Sequence, residues 1–462
     1  MLQSGPASAR PGGASVMGTR DLRGVTGAVM FLVLGTPVFA AQEYKATLPA
    51  DHPAIQYPRK RADDAAASLG RQLERGSVRP LQSRGQTLGV LPALLERLHV
   101  NEDSQMLVFS KTSVQAARVS PDRPRAIYFN DDVVVAYVPG ASTVEIAAID
   151  RAQGPVFYTI ANDRSARPEA ARAGTCLRCH QGPNTAGVPG LYVGSVIPGP
   201  TGAPSRDDSA IITDHRTPFK DRWGGWYVTA RRGEEPDRAN AVAPNPADPE
   251  TLVRESGPNL TTVAGLFDPS AYLTTTSDIV ALMTFEHQTQ VTNLITRVGW
   301  DARIAGQVNA GSGSSGAASG GSTLDADIED LVAYMLFAGE APLKDAVEGV
   351  STFTRTFPQR GPRDRRGRSL RDFDLRARLF RYPLSYMVYS GGFDALPDPV
   401  RQRIYRRLYD ILSGADRTAP YAHLSGDDRR AIIGILRDTK PGLPDYWRPG
   451  GASRARAIRD SS

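Results

Sequence analysis

Cysteine is almost missing from this chain: its 462 residues include two, Cys176 and Cys179. A framework of structural disulfides is therefore excluded, and so is a zinc site built on four thiolates. Histidine is sparse too, with six, and no second Cys or His pair stands at metal-ligand spacing. Long apolar runs are also lacking. The run at residues 27–34 is too short to span a bilayer comfortably and is broken by Gly35 and Pro37. Neither sign of charge dominates, since 55 Lys and Arg against 49 Asp and Glu leave a net +6. Nucleic acid is not argued for by so mild an excess. An acidic protein partner or an anionic group is a better use for the surplus arginine.

The two cysteines that are present stand together in Gly174-Thr175-Cys176-Leu177-Arg178-Cys179-His180-Gln181, a C-x-x-C-H run. Two thiolates three positions apart can each add to a haem vinyl group, and the next histidine then reaches the iron from one face. A thioredoxin-like pair belongs at a helix start after a buried strand. Here residues 161–173 are polar and carry Arg164, Arg167 and Arg172. A disulfide between the two cysteines would close a very small loop and stabilise little. The expected cofactor is one covalent haem c, with thioethers at Cys176 and Cys179 and His180 as axial ligand.

Ahead of this run, Arg20 and Arg23, the apolar stretch and small residues at Val38 and Ala40 fit a secretory signal over residues 1–40. About 420 residues remain, enough for two or three cores. Residues 41–85 are polar and read as an extended lead-in. Residues 86–260 form a β-rich, haem-attachment region. It opens on a helical stretch ending at His99 and continues with short strands at 106–109, 126–129, 133–138, 143–149 and 156–160. Asn130-Asp131 supplies a polar turn. Residues 261–447 read as helical: Ser277 is a candidate cap for a helix over 278–298, and further helices are expected at 324–337, 341–353, 372–389, 399–412 and 425–437. Gly, Ser and Ala at 311–322 read as a flexible linker, and 448–462 as a disordered tail. The fold class is α+β.

What completes the iron site decides its chemistry. His287 lies one turn from Met283 on the apolar stripe of the long helix, where a histidine is either core or ligand; it is the candidate sixth ligand. His215, Met283 or an open position are the alternatives. The pair Trp223 and Trp226 beside Gly224 and Gly225 reads as strand packing. Glu286 reads as exposed polarity or an acid/base group. The arginines at 363, 365, 366, 368, 371, 376, 378 and 381 can pair haem propionates or an acidic partner, or line a solvated loop.

The C176-L-R-C-H180 run resembles the haem motif of c-type cytochromes. The resemblance covers five residues and implies the two thioethers, the axial His180 and redox function outside the cytoplasm, periplasmic or secreted. Small cytochromes place helices around the motif and a methionine soon after it, yet none occurs here between His180 and Met283. A standard small cytochrome fold is not expected. The stretches DRWGGWYVT (221–229), SDIVALMTFEHQT (277–289) and 370–390 are similar to large exported bacterial proteins with a single haem motif. Electron transfer to a redox partner protein is the expected function, without nucleic acid and without a membrane span after signal cleavage. A haem-dependent oxidoreductase with an open distal site, of peroxidase or oxygenase type, is the alternative.

Overall fold

Strand β1 (Met106–Val108) begins a sheet whose every pairing is antiparallel, and its strands from 125 to 161 are joined by short turns. This computed structural model describes residues 45–162, 171–205, 210–245, 248, 251–254, 257, 259–311 and 317–448. The expected signal segment, the tail beyond residue 448 and residues 312–316 of the Gly/Ser stretch lie outside them. Before β1 stand α1 (Ala65–Glu74) and α2 (Leu91–Arg97). After it come β2 (Arg125–Phe129), β3 (Val133–Tyr137), β4 (Thr143–Asp150), β5 (Gly154–Ala161), β6 (Ala171–Arg172), β7 (Val193–Ser195), β8 (Ile211–Thr213) and β9 (Trp226–Tyr227). The main sheet runs β6-β5-β4-β3-β2-β1-β9, while β7 and β8 pair separately. Asn130 makes the β2–β3 turn, its side-chain oxygen accepting from the backbone N–H groups of Asp132 (3.0 Å) and Val133 (2.8 Å).

Both faces of this sheet are covered. Val133, Val135 and Tyr137 point to one core with Ile55, Tyr57, Leu69 and Leu94, and Val134 and Ala136 point to the other with Phe285, Val291 and Leu294. Two-sided burial explains the unbroken apolar run through β3. It also corrects the lead-in reading, since residues 45–85 carry α1 and contribute Ile55, Tyr57, Ala66 and Leu69 to a core.

The second half is helical, so the chain is α+β with its sheet toward the N-terminal side and its helices toward the C-terminal side. The long α3 (Ile279–Gly311) is buried on every side from residue 279 to residue 300. Its cap is Asp278 and not Ser277. The Asp278 carboxylate accepts from the N–H groups of Val280 (2.8 Å) and Ala281 (3.2 Å). The Ser277 hydroxyl instead donates to Tyr227 O (2.6 Å) and accepts from Leu107 N (2.9 Å), which fastens the helix start to β9 and β1. Three longer helices follow, α4 (Ala317–Met335), α5 (Asp398–Leu412) and α6 (Gly426–Thr439), with single helical turns at Phe353–Thr356 and Gly391–Asp394. The α6 start carries a capping box between Ser425 and Asp428. Gly311 and residues 317–322, expected in a linker, have helical backbone.

Two expected helices do not form. Residues 341–352 are irregular apart from the short strand Val347–Glu348. Residues 372–385 turn repeatedly, because the Asp374 carboxylate collects the N–H groups of Arg376 (3.0 Å), Ala377 (2.8 Å) and Arg378 (3.4 Å) and Leu375 takes a φ of 58°. Nor are the arginines here a free basic run. Arg363 pairs with Asp372, Arg368 with Asp364, Arg378 with Asp428, and buried Arg371 with Asp131 while lying over the Phe357 and Tyr386 rings.

Candidate haem-attachment site

The C-x-x-C-H run follows the sheet edge directly. In β6, Arg172 pairs with Tyr158 of β5, sends its guanidinium to Lys60 O (2.9 Å) and lies over the Tyr57 ring at 4.5 Å. Ala173 N then donates to Phe157 O (2.8 Å), and the chain turns at once into a 3-10 turn (Gly174–Cys176) and one α turn (Leu177–His180). Three-residue spacing on such a turn puts Cys176 and Cys179 on one side of it. Both thiols are free, Cys179 exposed and Cys176 half-buried. Burial raises the Cys176 pKa.

His180 closes the turn. Its ring stands between Phe157 and Tyr192, with centroids 4.9 Å and 5.5 Å away. The Nδ1 atom lies 2.9 Å from Gly190 O, and a carbonyl only accepts, so Nδ1 carries the proton. The Nε2 lone pair is left uncommitted among the described residues. Burial lowers the pKa of the ring, which keeps that lone pair available at neutral pH. A neutral imidazole whose second nitrogen donates to a backbone carbonyl is the usual form of a metal-binding histidine. The donor set therefore fits a haem: two unbonded thiols on one side of a turn and an oriented imidazole beside them.

The sixth-ligand candidates are elsewhere and occupied. His287 is fully buried; its Nδ1 lies 2.9 Å from His215 Nδ1 and its Nε2 2.7 Å from Ser385 Oγ. Tyr334 and Phe337 stack on both histidines, and neither touches His180. Met283 is core, 3% exposed. Both nitrogens of His287 are thus bonded and its ring is enclosed in this structure. His215 Nε2 is buried without a hydrogen-bond partner among the described residues. Glu286 is not exposed polarity. It accepts from Thr213 Oγ1 (2.7 Å), Trp223 Nε1 (3.0 Å) and Arg222 Nη1 (3.2 Å), and burial pushes its carboxyl up to about 7. Trp226 spends its indole N–H on Gly194 O (2.8 Å).

Three residues that matter here left no mark in the sequence. Gly190 acts through a carbonyl that every residue owns. Asn293 holds Leu191 by both N–H (3.0 Å) and O (2.7 Å) from the buried α3, and Gln181 reaches Leu48 O at 2.9 Å. Among the described residues no three His, Cys, Asp or Glu side chains converge as a metal-binding group. No helix there is long and apolar enough to cross a membrane. No family model, no curated protein and no solved structure matches the chain.

Proposed function

We propose that the chain is an exported c-type haem protein that passes single electrons to a redox partner through one covalently attached haem. The observation that carries this reading is the His180 ring, protonated at Nδ1 toward Gly190 O and uncommitted at Nε2. Cys176 and Cys179 would hold the group as thioethers, and His180 would be its axial ligand. When bound, the haem supplies a one-electron couple. The Gly190 carbonyl orients the imidazole and makes Nε2 a stronger donor. Phe157 and Tyr192 limit the ring's rotation, and the buried side of the turn keeps water from one flank of Cys176. The setting, a turn at the edge of a β-sheet, is not that of a small helical cytochrome. In this reading the chain is periplasmic or secreted, and the +6 charge favours an acidic partner.

The engagement of His287, His215 and Met283 favours a second reading, in which the position opposite His180 is open and the chain is a haem-dependent oxidoreductase. Absorption spectra of protein made in a host that attaches c-type haem separate the two. Low-spin spectra indifferent to carbon monoxide support electron transfer, and a high-spin spectrum that shifts under the gas supports the open site. The variant Cys176→Ala with Cys179→Ala is expected to be exported without covalent haem. Covalent haem retained in it ends both readings.

A further inference from the structure

Residues 45–48 form a strap without regular secondary structure, and among the described residues its bonds go to two places. One is the helical half. Lys45 Nζ pairs with Asp327 and with Asp330 (2.6 Å) on α4, and Arg297 of α3 donates to Ala46 O while its Nε holds Asp327 at 2.9 Å. The other is the loop that leaves His180. Leu48 N donates to Gly187 O (2.8 Å), and Gln181 Nε2 donates to Leu48 O (2.9 Å). Arg297 also reaches Ala186 O at 3.4 Å, so one guanidinium touches both strap and loop.

The fit is close. Gly187 has a φ of 74°, and a Cβ there would stand 2.4 Å from Ala46 O, so the strap lies against bare backbone. The far arm of the same loop is pinned from α3, where a Cβ on Gly190 would stand 2.3 Å from Asn293 Oδ1. The two arms meet at His180: Gly190 N donates to His180 O (2.8 Å) while His180 Nδ1 donates to Gly190 O (2.9 Å). Asn293 holds the returning arm at Leu191, Thr185 bonds it at Val188 O (2.7 Å), and the strap meets the outgoing one.

We infer that the strap at residues 45–48, through Gln181 and Lys45, is the positioning element that sets the His180 imidazole in its Nδ1–H form. It deepens the haem reading, on which its functional meaning rests, since a loosened loop would let the proton move to Nε2 and block the atom that faces the iron. Gln181 and Lys45 are positioning residues: their side chains bond to Leu48 O and to Asp327 and Asp330, not to the His180 ring or the thiols.

The experiment uses the full chain carrying Cys176→Ala and Cys179→Ala, so that the result does not depend on haem loading. Long-range proton–nitrogen correlation of the imidazoles reports the tautomer. In this parent, His180 is expected as a single Nδ1–H species. Gln181→Glu, which exchanges a donor for an acceptor opposite Leu48 O, is expected to bring in the Nε2–H species, as is Lys45→Met. Lys45→Arg is expected to retain the single species. Folded Gln181→Glu and Lys45→Met proteins that keep His180 wholly as Nδ1–H would overturn the inference and leave the strap a stabilising element only.

Amide exchange in the parent covers the case where those variants do not fold. Leu48 N–H and Gly190 N–H are expected to exchange at the same rate and with the same dependence on denaturant, as one opening unit. Gly190 protection that survives conditions in which Leu48 has opened would overturn the inference too. Haem attachment to the unaltered chain is measured separately, so failure of the haem reading is not confused with failure of the strap.

Discussion

Arg222 and Glu286 show at the scale of single residues how buried polarity is tolerated here. Both are enclosed, at 2% and 0% side-chain exposure, and lie 3.2 Å apart. Arg222 also donates to Thr217 O (2.6 Å) and His215 O (2.9 Å), so the guanidinium is tied to backbone as well as to the carboxylate. Removing one partner leaves the other charged and dry. Glu286→Ala is accordingly expected to cost roughly 3–5 kcal/mol in urea unfolding, because the loss is that of an uncompensated buried cation. Glu286→Gln keeps acceptors for Thr213 and Trp223 and is expected to cost less than Glu286→Ala. The ordering of the two variants is the check: equal losses would mean that packing, not charge, sets the cost.

The start of α3 is where an element depends on two neighbouring side chains with different tasks. Asp278 caps the helix, and its other oxygen accepts from Ser351 N (2.8 Å). Asp278→Ala is expected to cost about 0.5–2 kcal/mol for the cap, with faster amide exchange at Val280 and Ala281. Ser277→Ala leaves those two amides protected and exposes the fault at the sheet, where Leu107 N loses its acceptor at roughly 1–3 kcal/mol. Exchange measured residue by residue tells the two apart. Further along α3, Thr284, Thr292 and Thr296 return their hydroxyls to the carbonyls four residues before them, at 2.7, 2.7 and 2.8 Å. This is how a helix with so many polar side chains can be enclosed without unpaired groups at those positions.

The whole molecule carries the pH dependence, because it sums buried groups from both halves. Burial lowers His287 to about 3 and drives His215 well below its ordinary 6.5, with each histidine's charge opposed by its surroundings. Unfolding frees both rings to take a proton below pH 6.5, so their contribution is complete above that pH and is lost as pH falls. Glu286 acts oppositely: raised to about 7 from 4.5, its contribution is complete below pH 4.5 and is lost as pH rises through 7. Between pH 4.5 and 6.5 the two histidines favour proton uptake on unfolding, and Glu286 opposes them, as do Glu340, raised by burial to about 7, and Asp301, raised to about 6. The three carboxyls flatten the loss of stability on acidification in that range. Glu286→Gln removes one opposing group, so its stability is expected to fall faster on acidification between pH 4.5 and 6.5 than that of the parent. A slope unchanged in that variant would place the titration elsewhere.

What the sequence determined alone was local. Short β-branched and aromatic runs marked β1 to β5 and Asn130 marked the β2–β3 turn, since each rests on contacts within a few residues. The C-x-x-C-H run is likewise confined to five consecutive positions. Only the tertiary structure decided the rest. Whether His287 is ligand or core depends on Ser385 and His215, 98 and 72 residues away, and a periodic stripe cannot tell enclosure on one side from enclosure on all. The irregular path at 372–385 was decided by Asp374 gathering backbone N–H groups that a helix would have used. The His180 ring is held by a carbonyl ten residues on, and the loop between them meets residues 46 and 48, more than a hundred positions earlier. Hydrogen bonds between such distant segments leave no period in a sequence.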